Sequence, residues 1–136
     1  MQLKDAGFLD IDVIDMDIVE LGNLGYQLLF EEADVGKRKA EVVLSKLFGA
    51  EYNRSHKAFI CRVQEIPEDI LLSYDILVGC LDNLEARFYV NSVVMRNEHV
   101  LSRNPPLIYI DGGSMGLGGQ AQLVIPTVDL SPVPYL

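Results

Sequence analysis

The 136-residue chain is short of basic residues: 11 Lys and Arg stand against 20 Asp and Glu, a net charge of −9. Grip on a nucleic-acid backbone needs a basic face, so the balance argues against that class of function. An acidic surface fits a basic partner protein or plain solubility instead. No apolar run reaches membrane-spanning length, and Lys4, Asp5, Asp10 and Asp12 interrupt the start where a signal peptide would carry its apolar core. Histidine is confined to His56 and His99, and the two cysteines, Cys61 and Cys80, lack metal-ligand spacing, so a zinc site has no support. Both cysteines lie in strand-like runs, ICRV and ILVGCL, and read as reduced core residues of a cytosolic or nuclear protein. Repeats and low-complexity segments are also absent. With 49% hydrophobic residues, the length suits one domain with a sizeable core.

What is present alternates between strand and helix patterns. Gln2 to Ala6 reads as the last turn of a helix closed by Gly7. Phe8 to Asp15 reads as a strand with Val13 and Ile14 innermost. Asp34 is the expected N-cap of a helix from about Val35 to Phe48, with Ala40, Val43, Leu44 and Leu47 on one face and Gly49 as its stop. Lys57 to Val63 is a second strand, and Pro67, Glu68 and Asp69 open a short helical turn. Asp75 to Cys80 is a third strand, apolar enough to be covered on both faces. A helix from about Leu84 to Arg96 should bury Ala86, Tyr89 or Val90, Val93 and Val94. Pro106 to Ile110 is a fourth strand running into an Asp111-Gly112-Gly113 turn. Ala121 to Ile125 is a fifth, reached through Gly116, Gly118 and Gly119.

This order predicts an α/β fold, Rossmann-like, with a mostly parallel sheet and helices on both faces. Ligands bind beyond the carboxyl ends of such strands. Asp15 with Asp17, Cys80 to Asn83, Asp111 to Ser114 and the loop around Asn23 are all expected there. The stretch from Ile11 to Lys39 runs from a strand ending in acids, through a polar loop, to a basic helix start. That layout suits a nucleotide held by its ribose at one end and its phosphates at the other. A ribose-reading acid lies about 20 residues after a glycine fingerprint. If Asp15 is that acid, the glycine loop and the first strand of the fold are expected ahead of Met1.

At VIDMDIVELGNLGYQLLFEEADVGKRKAEV, again at YDILVGCLDNLEARFYVN, and at PLIYIDGGSMGLGGQAQLVIP, the chain resembles the adenylation domain of the ubiquitin-activating enzyme superfamily. The third motif looks most like the catalytic subunits that activate ubiquitin, SUMO or the neddylation modifier. The resemblance implies a partial adenylation domain over 1–126, with 127–136 as a tail or the start of a crossover loop. It implies ATP and Mg2+ as cofactors and joining of AMP to the C-terminus of a ubiquitin-like modifier. A partner subunit or a homodimer would complete the protein, and a conjugating enzyme would receive the modifier. Residue by residue, it implies that Asp15 accepts from the ribose hydroxyls and that Asn23 and Gln27 lie beside the phosphates. Lys39 would place its ammonium on those phosphates, and Asp82 would bind magnesium.

Other readings stand beside these. Asp15 can end a strand and start a turn, Asp17 can stabilise the loop, and Asn23 can be a turn residue. Asp82 and Glu85 have capping-box spacing, which offers Asp82 a purely structural role as an N-cap. Lys39 sits in a first helical turn, where a cation is disfavoured unless an anion is near. Arg87 reads as structural or solvated. The glycines from Gly112 to Gly119 read as relief of backbone crowding rather than a phosphate cradle, because a strand and not a helix follows. The loop also departs from the family's NLNRQ: Tyr26 stands where arginine is expected, which removes one positive charge. Neither cysteine matches the family's catalytic position. Two alternatives therefore remain: a non-catalytic module of the same fold that binds a modifier or partner, and a dinucleotide-binding dehydrogenase domain.

Overall fold

Two parallel strand pairs join residues far apart along the chain, with helices in the connections, and one antiparallel pair joins neighbouring strands. The structure, a computed structural model, describes residues 2–49, 56–115 and 118–126. It forms two compact units, Met1–Val63 and Gln64–Leu136. The expected glycine at Gly116 and the prolines of the tail, Pro132 and Pro134, lie outside the described residues.

In the first unit, α1 (Gln2–Asp5) ends at Gly7, whose φ of +94° is one that glycine adopts without strain. Strand β1 (Val13–Ile14) pairs in parallel with β2 (Ala58–Phe59). Both are shorter than the apolar runs predict, because the ladder closes over two residues and backbone bonds from Val13 to Lys57 and Asp15 to Phe59 mark its ends. Helix α2 (Lys39–Phe48) packs on β1 and β2 and buries Ala40, Val42 and Leu44. Val42 replaces the expected Val43, which is half-buried. Burying a leucine such as Leu44 is worth about 1.5–3 kcal/mol. Gly49 ends α2 at φ +60°, as expected.

The start of α2 differs from expectation. The helix begins at Lys39 rather than Val35, its N-cap is Arg38, and Asp34 closes a separate 3-10 turn, Glu32–Asp34. Asp34 does not cap α2 because its carboxylate is committed elsewhere. It accepts from the Glu31 amide and pairs with Lys46 at 2.6 Å and Lys37 at 3.3 Å.

In the second unit, Pro67 caps α3 (Glu68–Leu71), as predicted. Strand β3 (Ile76–Gly79) leads to α4 (Leu84–Arg96), which buries Ala86, Val90, Val93 and Val94 at helical spacing. After α5 (Glu98–Leu101), β4 (Ile108–Met115) pairs in parallel with β3 and antiparallel with β5 (Gly118–Val124). Among the described residues two of the three strand pairings are thus parallel, in keeping with the α/β class. Gly112 and Gly113 are not a turn: they lie inside β4, opposite Ala121 and Gln120. The unit's core holds Ile66, Leu71, Val90, Val93, Val94, Leu107 and Tyr109. Val78 is 44% exposed, so β3 is not covered on both faces in this chain. Cys80 is exposed rather than in the core, and Cys61 is half-buried.

Candidate functional site

The connection that follows β1 folds back along the approach to α2. Val19 N donates to Lys37 O, Gly36 N donates to Val19 O, and Ile18 bridges Arg38. Gly36 turns the chain at φ +87°. The first amide of α2, Lys39 N, donates to Asp17 O at 3.0 Å, so a loop carbonyl satisfies a helix end that has no side-chain cap. This zipper brings residues 22 positions apart into contact. Lys39 Nζ donates to Asp17 Oδ2 at 3.0 Å, and Asp17 N donates to Asp15 Oδ1 at 2.8 Å.

Asp15, Asp17 and Lys39 therefore gather at the carboxyl end of β1. The Lys39 side chain is only 14% exposed, while that of Asp17 is 55% exposed. Burial alone would lower the lysine pKa. The hydrogen bond and charge of Asp17, with Asp15 and Tyr26 behind it, outweigh that and hold it above the ordinary 10.5. A cation in a first helical turn is thus favoured by acids from the preceding loop. Asp15 forms the turn its position allows, and a carboxylate retains lone pairs beyond that one bond.

Asn23 and Gln27 frame the loop differently. Asn23 is 7% exposed. Its Oδ1 accepts from Glu20 N at 2.9 Å and its Nδ2 donates to the Tyr26 hydroxyl at 3.1 Å, so its side chain holds the 3-10 turn Leu21–Gly25. Gln27 N donates to Asn23 O. Its Oε1 is buried with no hydrogen-bond partner among the described residues. Tyr26, in place of the expected arginine, is 70% exposed.

Asp82 belongs to the second unit, in the β3–α4 connection. The N-cap of α4 is not Asp82 but Asn83, whose Oδ1 accepts from Ala86 N at 2.8 Å. Capping-box spacing pointed to the wrong neighbour, since both residue types cap well. Asp82 is exposed and accepts from Asn83 Nδ2 at 3.2 Å. Among the described residues no three of His, Cys, Asp and Glu gather to hold a metal ion. A lone carboxylate still suits magnesium, which takes one or two carboxylates and completes its shell with water and nucleotide phosphate.

Arg87, for which structural and solvated readings both stood, is engaged with the protein rather than solvated. Nε and Nη2 donate to Leu81 O at 2.9 and 2.8 Å, Nη2 donates to Gly112 O at 2.8 Å, and Nη1 faces Asp111 Oδ2 at 3.4 Å. A Cβ at Gly113 would collide with Nη2 and stand 2.9 Å from Nη1, which is the crowding the glycine relieves. The buried Asp111 was expected at the ligand end without a role. The alternation of β4 gave no sign of its pairing with an arginine 24 residues earlier.

Comparison with known proteins shows the family. The ThiF family model matches residues 1–131. The NEDD8-activating enzyme E1 catalytic subunit of Dictyostelium discoideum is 36% identical over 132 residues, covering 90% of this chain and 29% of that protein. SUMO-activating enzyme subunit 2 of the same organism is 28% identical, over 88% of this chain and 17% of its own length. The crystal structure of E. coli MccB with AMPCPP and MccA aligns with a TM-score of 0.65 at 28% identity, over 85% of this chain and 33% of that one. The chain thus spans 17–33% of the lengths of these proteins. No helix among the described residues is long and apolar enough to cross a membrane. The family match sets aside a dinucleotide-binding dehydrogenase. With a family-model match along nearly the whole sequence, the chain belongs to the ThiF family.

Proposed function

We propose that this chain supplies nucleotide contacts of an adenylation domain that activates the C-terminus of a ubiquitin-like modifier with ATP, the activity belonging to the complete protein. One observation carries the reading: Lys39, mostly buried in a first helical turn, holds its ammonium 3.0 Å from Asp17 Oδ2 beside Asp15. Such a lysine is a point charge poised for phosphate. Asp15 would accept from the ribose hydroxyls, and Asp17 would hold the lysine until phosphate takes it. Asn23 would keep the loop in shape beside the phosphates. Gln27, whose buried oxygen has no partner, would turn its amide toward the nucleotide. Asp82 would hold Mg2+, which supplies charge neutralisation on the phosphates when bound. A carboxylate attacking an α-phosphate is a meeting of anions, so positioning and neutralisation are the work required of these residues.

Saturable binding of MgATP to this chain, weakened roughly tenfold or more in Lys39→Ala, tests the reading. Absence of binding to the folded chain would overturn it. Exchange of pyrophosphate into ATP with a candidate modifier is expected to be undetectable for this chain alone. Clear exchange, abolished in Asp82→Ala, would show instead that the chain needs no partner subunit.

Tyr26 favours a second reading, a non-catalytic module of the same fold that binds a modifier or partner subunit. Its exposed phenol carries no positive charge at the position where the resemblance calls for arginine. Binding of a ubiquitin-like modifier without any binding of ATP would select this reading. In the first reading the partners are a modifier, a second subunit or second copy, and a conjugating enzyme downstream; in the second, a modifier or a partner subunit.

A further inference from the structure

The shortest hydrogen bonds of Arg87 go to backbone carbonyls, two of them to one loop carbonyl, rather than to its buried counter-ion. Its distance to Asp111 Oδ2 is 3.4 Å, long for an ion pair, although the two side chains are 15% and 5% exposed. Of its three shorter bonds, those from Nε and Nη2 converge on one carbonyl, Leu81 O, and the third joins Nη2 to Gly112 O. Leu81 immediately precedes Asp82. On the other side of Asp82, Asn83 is fixed by its bond from Ala86 N. The exposed Asp82 carboxylate therefore stands between two anchored neighbours, with Asn83 Nδ2 donating to its Oδ1.

We infer that Arg87 is a positioning residue: by clamping the Leu81 carbonyl it sets the direction of the Asp82 carboxylate, and Gly113 leaves room for the guanidinium to do so. This rests on the reading of Asp82 as the magnesium carboxylate. The geometry asks for arginine specifically. A planar fork reaches Leu81 O twice while also contacting Gly112 O and Asp111, whereas an ammonium cannot span that set. Tying β4 to α4 would require only the bonds to Gly112 O and Asp111. The paired bonds to Leu81 have a different consequence, which is order in the loop. Partners that orient a metal-binding carboxylate without touching the metal contribute about 10–100-fold to metal affinity.

Two variants displace the guanidinium from opposite sides. Arg87→Lys keeps the charge facing Asp111 but loses the fork, and Gly113→Ala keeps the arginine but fills the space it occupies. The first readout is 15N relaxation on the whole 136-residue chain without ligand. Backbone order parameters at residues 80–83 are expected to fall from roughly 0.85 toward 0.6 in both variants, with the buried part of α4 unchanged. The second is the Mg2+ concentration that half-saturates magnesium-dependent ATP binding. It is expected to rise about tenfold in both variants, while ATP binding without magnesium stays at the wild-type level. Should Arg87→Lys not fold, Gly113→Ala decides. Folded variants with wild-type order at residues 80–83 would overturn the inference even if their melting temperatures fell. Magnesium-dependent binding absent from the wild-type chain would count against Asp82 as the metal carboxylate, and the relaxation result would still decide whether Arg87 orders the loop.

Discussion

Lys46 reaches back from the last turn of α2 to Asp34, its Nζ 2.6 Å from Oδ2, and the carboxyl pKa is lowered from 3.8 to about 2. The Lys46 hydrogen bond is the main cause, followed by the Glu31 amide, with Lys37 adding to them against the effect of burial. The sign follows from linkage. A carboxyl with a depressed folded pKa contributes stability that is present above its ordinary value and lost as pH falls toward 2. Lys46, raised above 10.5 chiefly by Asp34, contributes stability that is present below that value and lost as pH rises beyond it. In thermal melts, Asp34→Asn should be less stable than wild type at neutral pH. The gap should close as pH falls from about 4 to 2. A gap of constant size across that window would mean the pair does not shape acid stability.

Gly79 and Gly112 are neighbouring glycines of β3 and β4 with opposite tolerance. A Cβ at Gly79 would meet the Tyr109 hydroxyl at 2.9 Å and Asp111 Oδ1 at 3.2 Å, both on buried side chains. At Gly112 the nearest atom is Gly79 O at 3.5 Å, an ordinary contact. Gly79→Ala should therefore lose about 1–3 kcal/mol in chemical denaturation. Gly112→Ala should lie within roughly 0.5 kcal/mol of wild type. Equal losses would indicate that strand pairing, not the packing around Tyr109 and Asp111, sets the demand for glycine.

These glycines illustrate what the sequence made legible. Helix α4 was readable at both ends and along its buried face, because Ala86, Val93 and Val94 repeat with the helical period, and only the choice of Val90 over Tyr89 was left to the structure. Helix α2 was misread at its start because Asp34 is a good capping residue by type, and only its distant partner, Lys46, shows that its carboxylate is engaged. The runs Phe8 to Asp15 and Lys57 to Val63 look like full strands, yet only two residues of each join the ladder. Gly112 and Gly113 look like a turn because glycine serves turns and close approach alike, and the crowding guanidinium of Arg87 lies 26 residues before Gly113 in the sequence. At the candidate site, residue type singled out Asp15 and Lys39 separately. Their association through Asp17 depends on the backbone zipper between Val19 and Lys37, which no local pattern encodes.

Asn83 and Asp82 stand side by side, and stability should separate them. Asn83→Ala removes the side-chain oxygen that caps α4 and should lose about 0.5–2 kcal/mol. Asp82→Ala removes an exposed carboxylate that caps nothing and should lose less than about 0.5 kcal/mol. Under the proposed function the ligand result runs the other way, with magnesium-dependent ATP binding lost in Asp82→Ala and retained in Asn83→Ala. A large stability loss in Asp82→Ala would return it to a structural role.

Asp17 presents the least obvious expectation, because its carboxylate both holds Lys39 and competes with any phosphate for it. Lys39 Nζ lies 3.0 Å from Asp17 Oδ2, and Asp17 is the exposed partner. Exposed ion pairs are worth about 0.2–1 kcal/mol. If phosphate must displace that bond, releasing it should tighten ATP binding by roughly 1.4- to 5-fold. Asp17→Asn is the suitable variant, since it keeps the backbone bonds at Asp17 N and O that align β1 with α2. Calorimetric titration with ATP should show the gain, and high salt should shrink it because the pair is screened. Weaker binding in Asp17→Asn, with the fold intact, would mean that Asp17 organises Lys39 for phosphate rather than competing with it.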